Sequence, residues 1–375
     1  MTNRPKKRHS DNTWRKPDLR HGYTTSACAA ACTVAAMQAL TSGQPVERVT
    51  IDLPGESGVT FEMARCEFHP DGVLCGTIKD SGDDPDVTHG AEIQCFVAWQ
   101  DAGITITGGI GIGVATKPGL PVAVGEAAIN PGSRRLIQRV VETFDAEALA
   151  ERGLRVEIRV PEGERLARET LNPRLGILGG ISILGTTGVL KPFSTSAYRA
   201  SIYTELKVTR SNGIARVVLT TGNRSEQYAM QLYPDLPELA FIQVGDHIDF
   251  SLKQSQRLGI EAVVISGMIG KMSKLAQGRM QTHVSQGEVD FEFLAEVARN
   301  LGADETLAGK IRSANTAHHV QSMLKQAGVS GLEEMLAGMA AQSCLAYAPA
   351  LREVEVLLFA IGGKLLARKR LEQGT

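Results

Sequence analysis

Neither sign of charge is in excess in this sequence: 40 Lys and Arg stand against 41 Asp and Glu, for a net charge of -1. That balance argues against a general nucleic-acid or membrane-surface binder, although a local basic cleft stays open. No run approaches the ~18 uninterrupted apolar residues of a membrane span. The six cysteines contain no CxxC pair and no zinc spacing. Cys28 and Cys32 fall one helical turn apart, a poor geometry for a disulfide, so they read as reduced cytoplasmic thiols. Aromatic residues are scarce at 5%. Glycine is not: 39 of 375 residues imply many turns and loops where backbone comes close to something.

With 43% apolar and 22% charged residues, the composition is that of a folded protein and excludes disorder of the whole chain. At about 150 residues per domain the length suggests two or three domains. Residues 1–17 mix basic and polar residues (Arg4, Lys6, Lys7, Arg8) without a hydrophobic period and read as a disordered tail. The alanine-rich run Ala27 to Leu40 behind it superficially resembles a signal peptide. It begins late and is broken by Thr33 and Gln38, which argues against one.

Thr24, Thr25 or Ser26 offers an N-cap for a helix to about Leu40, stopped by Gly43. Val49, Ile51 and Leu53 alternate, as do residues from Val59 to Phe68 and Ile93, Cys95, Val97 and Trp99. Asp101-Ala102-Gly103 then turns the chain into Ile104 to Thr107. A helix over 131–144 and a strand over 154–160 complete a mostly antiparallel α+β region, residues 18–200. Beyond it, short apolar strands at 217–219, 241–244 and 262–265 alternate with loops and helices. That pattern predicts a smaller α/β domain, residues 201–375, with a parallel sheet and crossover helices. Helices fill 290–345, and a hairpin turns at Gly362-Gly363.

Five segments can carry chemistry. Thr24, Thr25 and Ser26 at a helix start suit an anion or polar ligand, or simply cap the helix. Asp80, Asp83, Asp84, Asp86 and His89 crowd four carboxylates and an imidazole into ten residues. A cation, a donor network or water must screen them, and the calcium-loop spacing is absent. Gly108–Gly119 fails the dinucleotide fingerprint, because Thr116 stands where glycine is needed. Gly109 and Gly111 suggest backbone held open against a bulky ligand, with Lys117 as a nearby cation. Within residues 172–191, Gly180 to Gly185 have the phosphate-loop glycine spacing, but Thr186 stands where that motif requires lysine, which argues against ATP hydrolysis. The fifth is the set of loops after the parallel strands: Thr221, Gly222 and Asn223, then Asp246, then Ser266 and Gly267 with Gly270 and Lys271, and basic residues such as Arg224 and Arg279 recur near these loops. Ligands of open α/β sheets sit there, and an acid after the second strand commonly takes a ribose hydroxyl. Asp246 as a helix N-cap is the plainer alternative.

In their order, Leu19–Ala31, Asp80–Gly90, Gly108–Gly119, Gly125–Pro131, Asn172–Lys191 and Lys271–His283 resemble the cobalt-precorrin-5B C1-methyltransferases, the CbiD family. Two positions depart from its pattern: Ser26-Ala27 in the first motif, and Met268 where a histidine is usual. The resemblance implies S-adenosylmethionine-dependent methylation of ring carbon C1, giving cobalt-precorrin-6A in cobalamin biosynthesis. S-adenosylmethionine is then the co-substrate in the second domain, with no protein-bound metal. The partner is a tetrapyrrole, not nucleic acid or membrane; no oligomeric state is implied. A macrocycle bearing carboxylates needs cations and glycine-lined walls. Thr24, Thr25, Ser26, Gly109, Gly111, Lys117, Arg174, Thr186, Thr187 and Lys191 are the candidates for substrate binding. Asp83, Asp84, His89 and His283 are candidate bases. Two rivals differ in kind. A magnesium-dependent small-molecule kinase would turn over ATP, and a non-catalytic tetrapyrrole or nucleotide carrier would bind without transferring a methyl group.

Overall fold

The computed structural model describes residues 19–144, 149, 152–283 and 287–374; the basic tail lies outside them. The chain forms two compact units. One comprises the chain through Ile112 with 129–169 and 180–193, the other 113–128, 170–179 and everything from Ser194. A single boundary near 200 would give 113–128 and 170–179 to the first unit. They belong to the second because Val114–Ala115 pairs antiparallel with Ile177–Leu178. Ala115, Leu120, Leu175 and Ile177 also share a small core with Val208 and Leu239.

The first unit is built around helix α1 (Thr25–Ser42). The Thr24 hydroxyl accepts a hydrogen bond from the Ala27 amide, and Gly43 ends the helix in left-handed conformation. Every residue from Thr25 to Met37 is buried. A helix enclosed on all sides is apolar all round, and alanine keeps it thin enough for neighbours to approach closely. The run that resembles a signal peptide is thus a central core helix. Strands β1 (Arg48–Leu53) and β2 (Glu56–Glu62) form a hairpin. Strands β3 (Arg65–His69), β4 (Gly72–Ile78), β5 (Glu92–Gln100) and β6 (Ile104–Gly108) follow. Helix α2 (Pro131–Phe144) and strand β7 (Gly153–Arg159) come next.

One expectation needs correction here. The single strand expected from Val59 to Phe68 is two, β2 and β3, broken at Met63-Ala64. The turn at 101–103 leads into β6 as expected, and the sheet order is β3-β4-β5-β7-β6, with β7 inserted and parallel to β6. Gly153 makes the insertion possible, because a Cβ there would stand 2.3 Å from the Ala102 carbonyl carbon. The Leu154 amide then donates to the Gly103 carbonyl at 2.8 Å.

The second unit contains α3 (Thr195–Ser211), β8 (Arg216–Thr220), α4 (Asn223–Leu232), β9 (Phe241–Gln243) and α5 (Ile248–Arg257). Next come β10 (Ala262–Met268), α6 (Ile269–Ala276), α7 (Phe291–Asn300) and α8 (Glu305–Arg312). It ends with α9 (Ala317–Gln326), α10 (Leu332–Tyr347), β11 (Glu353–Phe359) and β12 (Leu365–Glu372). The sheet order is β9-β8-β10-β11-β12; the first four strands are parallel and β12 returns antiparallel. Mixed α+β and α/β architecture is therefore what the chain adopts. β10 runs three residues past its expected end, because its pairing with β11 continues to Met268 opposite Phe359.

Candidate functional site

In the second sheet β9 lies on one side of β8 and β10 on the other, so the direction of winding reverses at β8. Such a switch point opens a crevice at the carboxyl ends of the strands, because the two crossover helices leave in opposite directions. A cavity of about 740 Å³ occupies that place. Thr221, Gly222, Asn223, Arg224 and Ser225 line it after β8, Asp246 after β9, and Met268, which ends β10, with Gly270, Lys271 and Lys274 just beyond. Thr282, His283 and Val289 close another side. Helices α4 and α6 both begin at this cavity without a side-chain cap. Gly222 and Gly270 each have nothing within 4 Å of where a Cβ would stand. These are open glycines, and the opening is the cavity itself.

The charges here are arranged around one carboxylate. Asp246 Oδ1 lies 3.1 Å from Lys271 Nζ and accepts from the Thr282 hydroxyl at 2.8 Å. Burial would raise the Asp246 pKa, but those two bonds, with the charges of Lys271 and His283, hold it below the ordinary carboxylate range. Lys271 also donates to the Thr221 carbonyl at 3.1 Å, so one ammonium ties together residues that follow three strands. Lys274 is buried and donates to the Thr282 carbonyl at 2.8 Å; burial and the neighbouring Arg279 lower its pKa.

Thr221, Gly222, Asn223, Asp246 and Gly270, expected from the sequence to hold a ligand, thus line one cavity together with His283. Ser266 and Gly267 do not, and the reason is the longer β10. Ser266 is wholly buried with its hydroxyl donating to the Ser225 carbonyl, while the Cβ position of Gly267 is taken by Met272 and Thr221. Lys271, expected after the third strand, and Arg224, one of the basic residues near these loops, also line the cavity, whereas Ser225, Lys274 and Thr282 stood outside the expected set. Lys274, spaced i, i+3 from Lys271, carried a readable signal; Thr282 carried none.

In the first unit the expected sites are largely filled by the chain itself. Thr24, Thr25 and Ser26 are buried at the start of α1. The Thr25 hydroxyl exchanges hydrogen bonds with Leu184, donating to its carbonyl at 3.2 Å and accepting from its amide at 3.0 Å. Ser26 is bonded to Ser133. Gly185 is glycine because a Cβ would stand 2.3 Å from Thr24. Segment 184–188, not a ligand, occupies the helix start. Gly109 and Gly111 likewise face protein: their Cβ positions lie 2.4 Å from a Glu157 carboxylate oxygen and 1.8 Å from the Val160 carbonyl oxygen.

In the second unit Lys117 packs its stem on Gly176 and reaches the Arg174 carbonyl at 3.3 Å. Arg174 is committed to Glu226 at 2.8 Å and Glu238 at 3.3 Å, not free for a substrate carboxylate. Beside it Glu205 is pushed up to about 8 by burial, against the pull of Arg174. Thr186, Thr187 and Lys191, in the first unit, remain exposed.

The crowded acids of 80–90 are balanced by donors of the chain. Asp80 pairs with Arg20, whose hydrogen bond, aided by the Gly82 amide, lowers it to about 2. Asp86 pairs at 2.8 Å with Lys79, which is 1% exposed. Asp83 accepts from the Arg20 amide, and Asp84 accepts from the Phe193 amide at 3.0 Å. His89 Nδ1 accepts from the Ser81 amide at 3.1 Å, which leaves Nε2 to carry the proton of the neutral ring. Among the described residues no group of three or more His, Cys, Asp or Glu is placed to hold a metal ion. Asp83 and His89 are exposed, Asp84 half-buried.

Cys28 is buried on α1, and burial pushes its thiol up to about 12. It is no nucleophile, since the thiolate is the reactive form. Iodoacetamide at about pH 8 is expected to label Cys66 at most in the folded protein, and all six cysteines once it is unfolded. Peptide mass mapping that finds Cys28 alkylated in the folded state would contradict this burial.

Comparison with known proteins now bears on these geometries. Residues 12–192 match the family model CbiD, and residues 281–370 match CbiD, C-terminal domain. A Geobacillus kaustophilus (strain HTA426) protein named cobalt-precorrin-5B C(1)-methyltransferase is 53% identical over 86% of this chain and 87% of its own length. A Priestia megaterium protein of the same name is 46% identical over 93% of this chain and 96% of its own. The chain belongs to the CbiD family. A 1.9 Å crystal structure of the cobalamin biosynthesis protein (cbiD) from Archaeoglobus fulgidus is 30% identical, with a TM-score of 0.39 over 72% of this chain and 83% of that one. In this CbiD chain the first matched range ends beside the change of unit at 193/194, and the second contains Thr282 and His283. Among the described residues no helix is long and apolar enough to cross a membrane.

Proposed function

We propose that this chain methylates C1 of cobalt-precorrin-5B to give cobalt-precorrin-6A, and that the cavity at the ends of β8, β9 and β10 holds the methyl donor, S-adenosylmethionine. Membership of the CbiD family and relatives named cobalt-precorrin-5B C(1)-methyltransferase, one of them 53% identical, support the reaction. The observation that carries the site is the switch-point cavity with Asp246 on its wall and two glycines open toward it. Its volume of about 740 Å³ lies within the ~300–1,000 Å³ typical of small-molecule sites. The residues present suit the donor: an ionised acid for ribose hydroxyls, open backbone at Gly222 and Gly270, and apolar Met268 and Val289 beside them.

S-adenosylmethionine supplies a methyl group already activated by its sulfonium, so the protein need provide neither nucleophile nor metal. Its task is positioning: holding the ring carbon in line at about 3–3.5 Å, a contribution of several kcal/mol. Asp246 and the α4 and α6 starts orient the nucleoside side. Thr186, Thr187 and Lys191 stand exposed for the carboxylated macrocycle. Asp83, Asp84, His89 and His283 are the groups proposed to take up a proton as the ring rearranges. Replacing all four with little change in turnover would remove them from that role. Six free thiols suit a reducing cytoplasm, where we place the reaction.

Incubation with cobalt-precorrin-5B and methyl-labelled S-adenosylmethionine is expected to put the label on C1. Label elsewhere on the ring, or none transferred, would overturn the assignment.

A further inference from the structure

Asp246 is loaded unevenly. Both the Thr282 hydroxyl and the Lys271 ammonium approach the same oxygen, Oδ1. The described residues supply no hydrogen bond to Oδ2, although the side chain is only 26% exposed and lines the cavity. A carboxylate with one oxygen saturated by two donors has a fixed plane, and its second oxygen can serve a ligand.

The two donors are themselves held. Lys271 sits in the first turn of α6 and also bonds the Thr221 carbonyl, so its ammonium cannot swing away without losing a second partner. Thr282 is clasped from both sides. Its amide donates to the Asp246 carbonyl at 3.3 Å, and its own carbonyl accepts from the buried Lys274 at 2.8 Å. The neighbouring Asp249 amide bonds the Met280 carbonyl, and His247 bridges to Gln281. Segment 280–282 is thus bound along 246–249, with the Thr282 hydroxyl aimed at Asp246.

We propose that Lys271 and Thr282 are positioning residues that load Oδ1 of Asp246 and so present Oδ2 to the vicinal hydroxyls of a nucleoside bound in the cavity. This rests on the reading that the cavity takes S-adenosylmethionine. Lys274 acts one step further out, by holding Thr282.

A pH signature follows. The groups facing Asp246 are Lys271 and Lys274 from α6, His283 beyond Thr282, His247 beside it and Tyr198 from α3. An acid held below its ordinary range binds a diol above that pKa and loses it as pH falls through it. Removing Thr282 or Lys271 leaves burial to raise the pKa, so binding fails at a higher pH.

The test uses the whole chain, with S-adenosylhomocysteine and its 2′-deoxy analogue as titrants in calorimetry. The parent is expected to prefer the diol by about tenfold, the worth of one hydrogen bond to a charged group. Asp246→Asn loses that preference. Thr282→Val and Lys271→Met lose most of it and move the acid limb of binding to higher pH, while Thr282→Ser restores both. A purely structural lesion would weaken the two titrants equally and leave their ratio unchanged. If Asp246→Asn binds S-adenosylhomocysteine as the parent does, the placement of the donor in this cavity falls. If Asp246→Asn weakens binding but Thr282→Val and Lys271→Met keep the parent preference and acid limb, the positioning role falls and the placement stands.

Discussion

Gly111→Ala is expected to destabilise the first unit by about 3 kcal/mol or more, lowering its melting temperature by roughly 6–12 °C. Two costs add. Gly111 has φ +71°, a left-handed conformation that costs an L-residue roughly 1–2 kcal/mol. The added Cβ would also stand 1.8 Å from the Val160 carbonyl oxygen, a backbone atom that cannot rotate aside. Nor is there slack nearby. Val160 donates to the Ile110 carbonyl at 2.8 Å, and Ile181 donates to the Gly111 carbonyl at 2.9 Å. Cβ positions at Gly163 and Gly180 would meet that same carbonyl at 2.0 and 2.1 Å. Three segments touch backbone to backbone, and glycine is needed on each. Calorimetric melting that places Gly111→Ala alongside the parent would refute this account of the glycine-rich stretch.

Gly270→Leu should do the opposite: leave the fold intact and weaken binding of the methyl donor. Gly270 lies in the first turn of α6 with open space at its Cβ, so the branch point of a leucine has room. Leucine also gains nearly 1 kcal/mol in helix propensity over glycine, so the melting temperature holds or rises. The side chain enters the cavity beside Lys271 and Asp246. Forcing a group into occupied space costs about 1–3 kcal/mol, so S-adenosylhomocysteine affinity should fall by about 10–100-fold. Parent-like affinity in a stably folded Gly270→Leu would move the donor site out of this cavity. Together the two substitutions separate glycines that serve packing from glycines that leave room for a ligand.

That separation was invisible in one dimension. A glycine in sequence reports only that a side chain is missing; what fills the space is decided by segments distant along the chain. At Gly109, Gly111 and Gly185 protein fills it, and at Gly222 and Gly270 nothing does. Thr24–Ser26 left both readings open for the same reason. Their hydroxyls suit a ligand as well as they suit Leu184 and Ser133, more than 100 residues away.

Local chemistry was legible wherever it depends on neighbours in sequence. Helix α1 between Thr24 and Gly43, the period-two strands, and the strand–loop–helix alternation after residue 200 follow from propensity and capping. Thr221, Gly222, Asn223, Asp246 and Gly270 could be grouped because parallel strands bring their carboxyl ends to one edge whatever the loops contain. The order of motifs along the chain carried the family resemblance. Only the tertiary structure inserted β7 beside β6, sent 113–128 and 170–179 into the second unit, and laid Thr282 against Asp246. Those outcomes depend on contacts between segments tens of residues apart, set by competition among packings of the whole chain, and no window of sequence contains both partners.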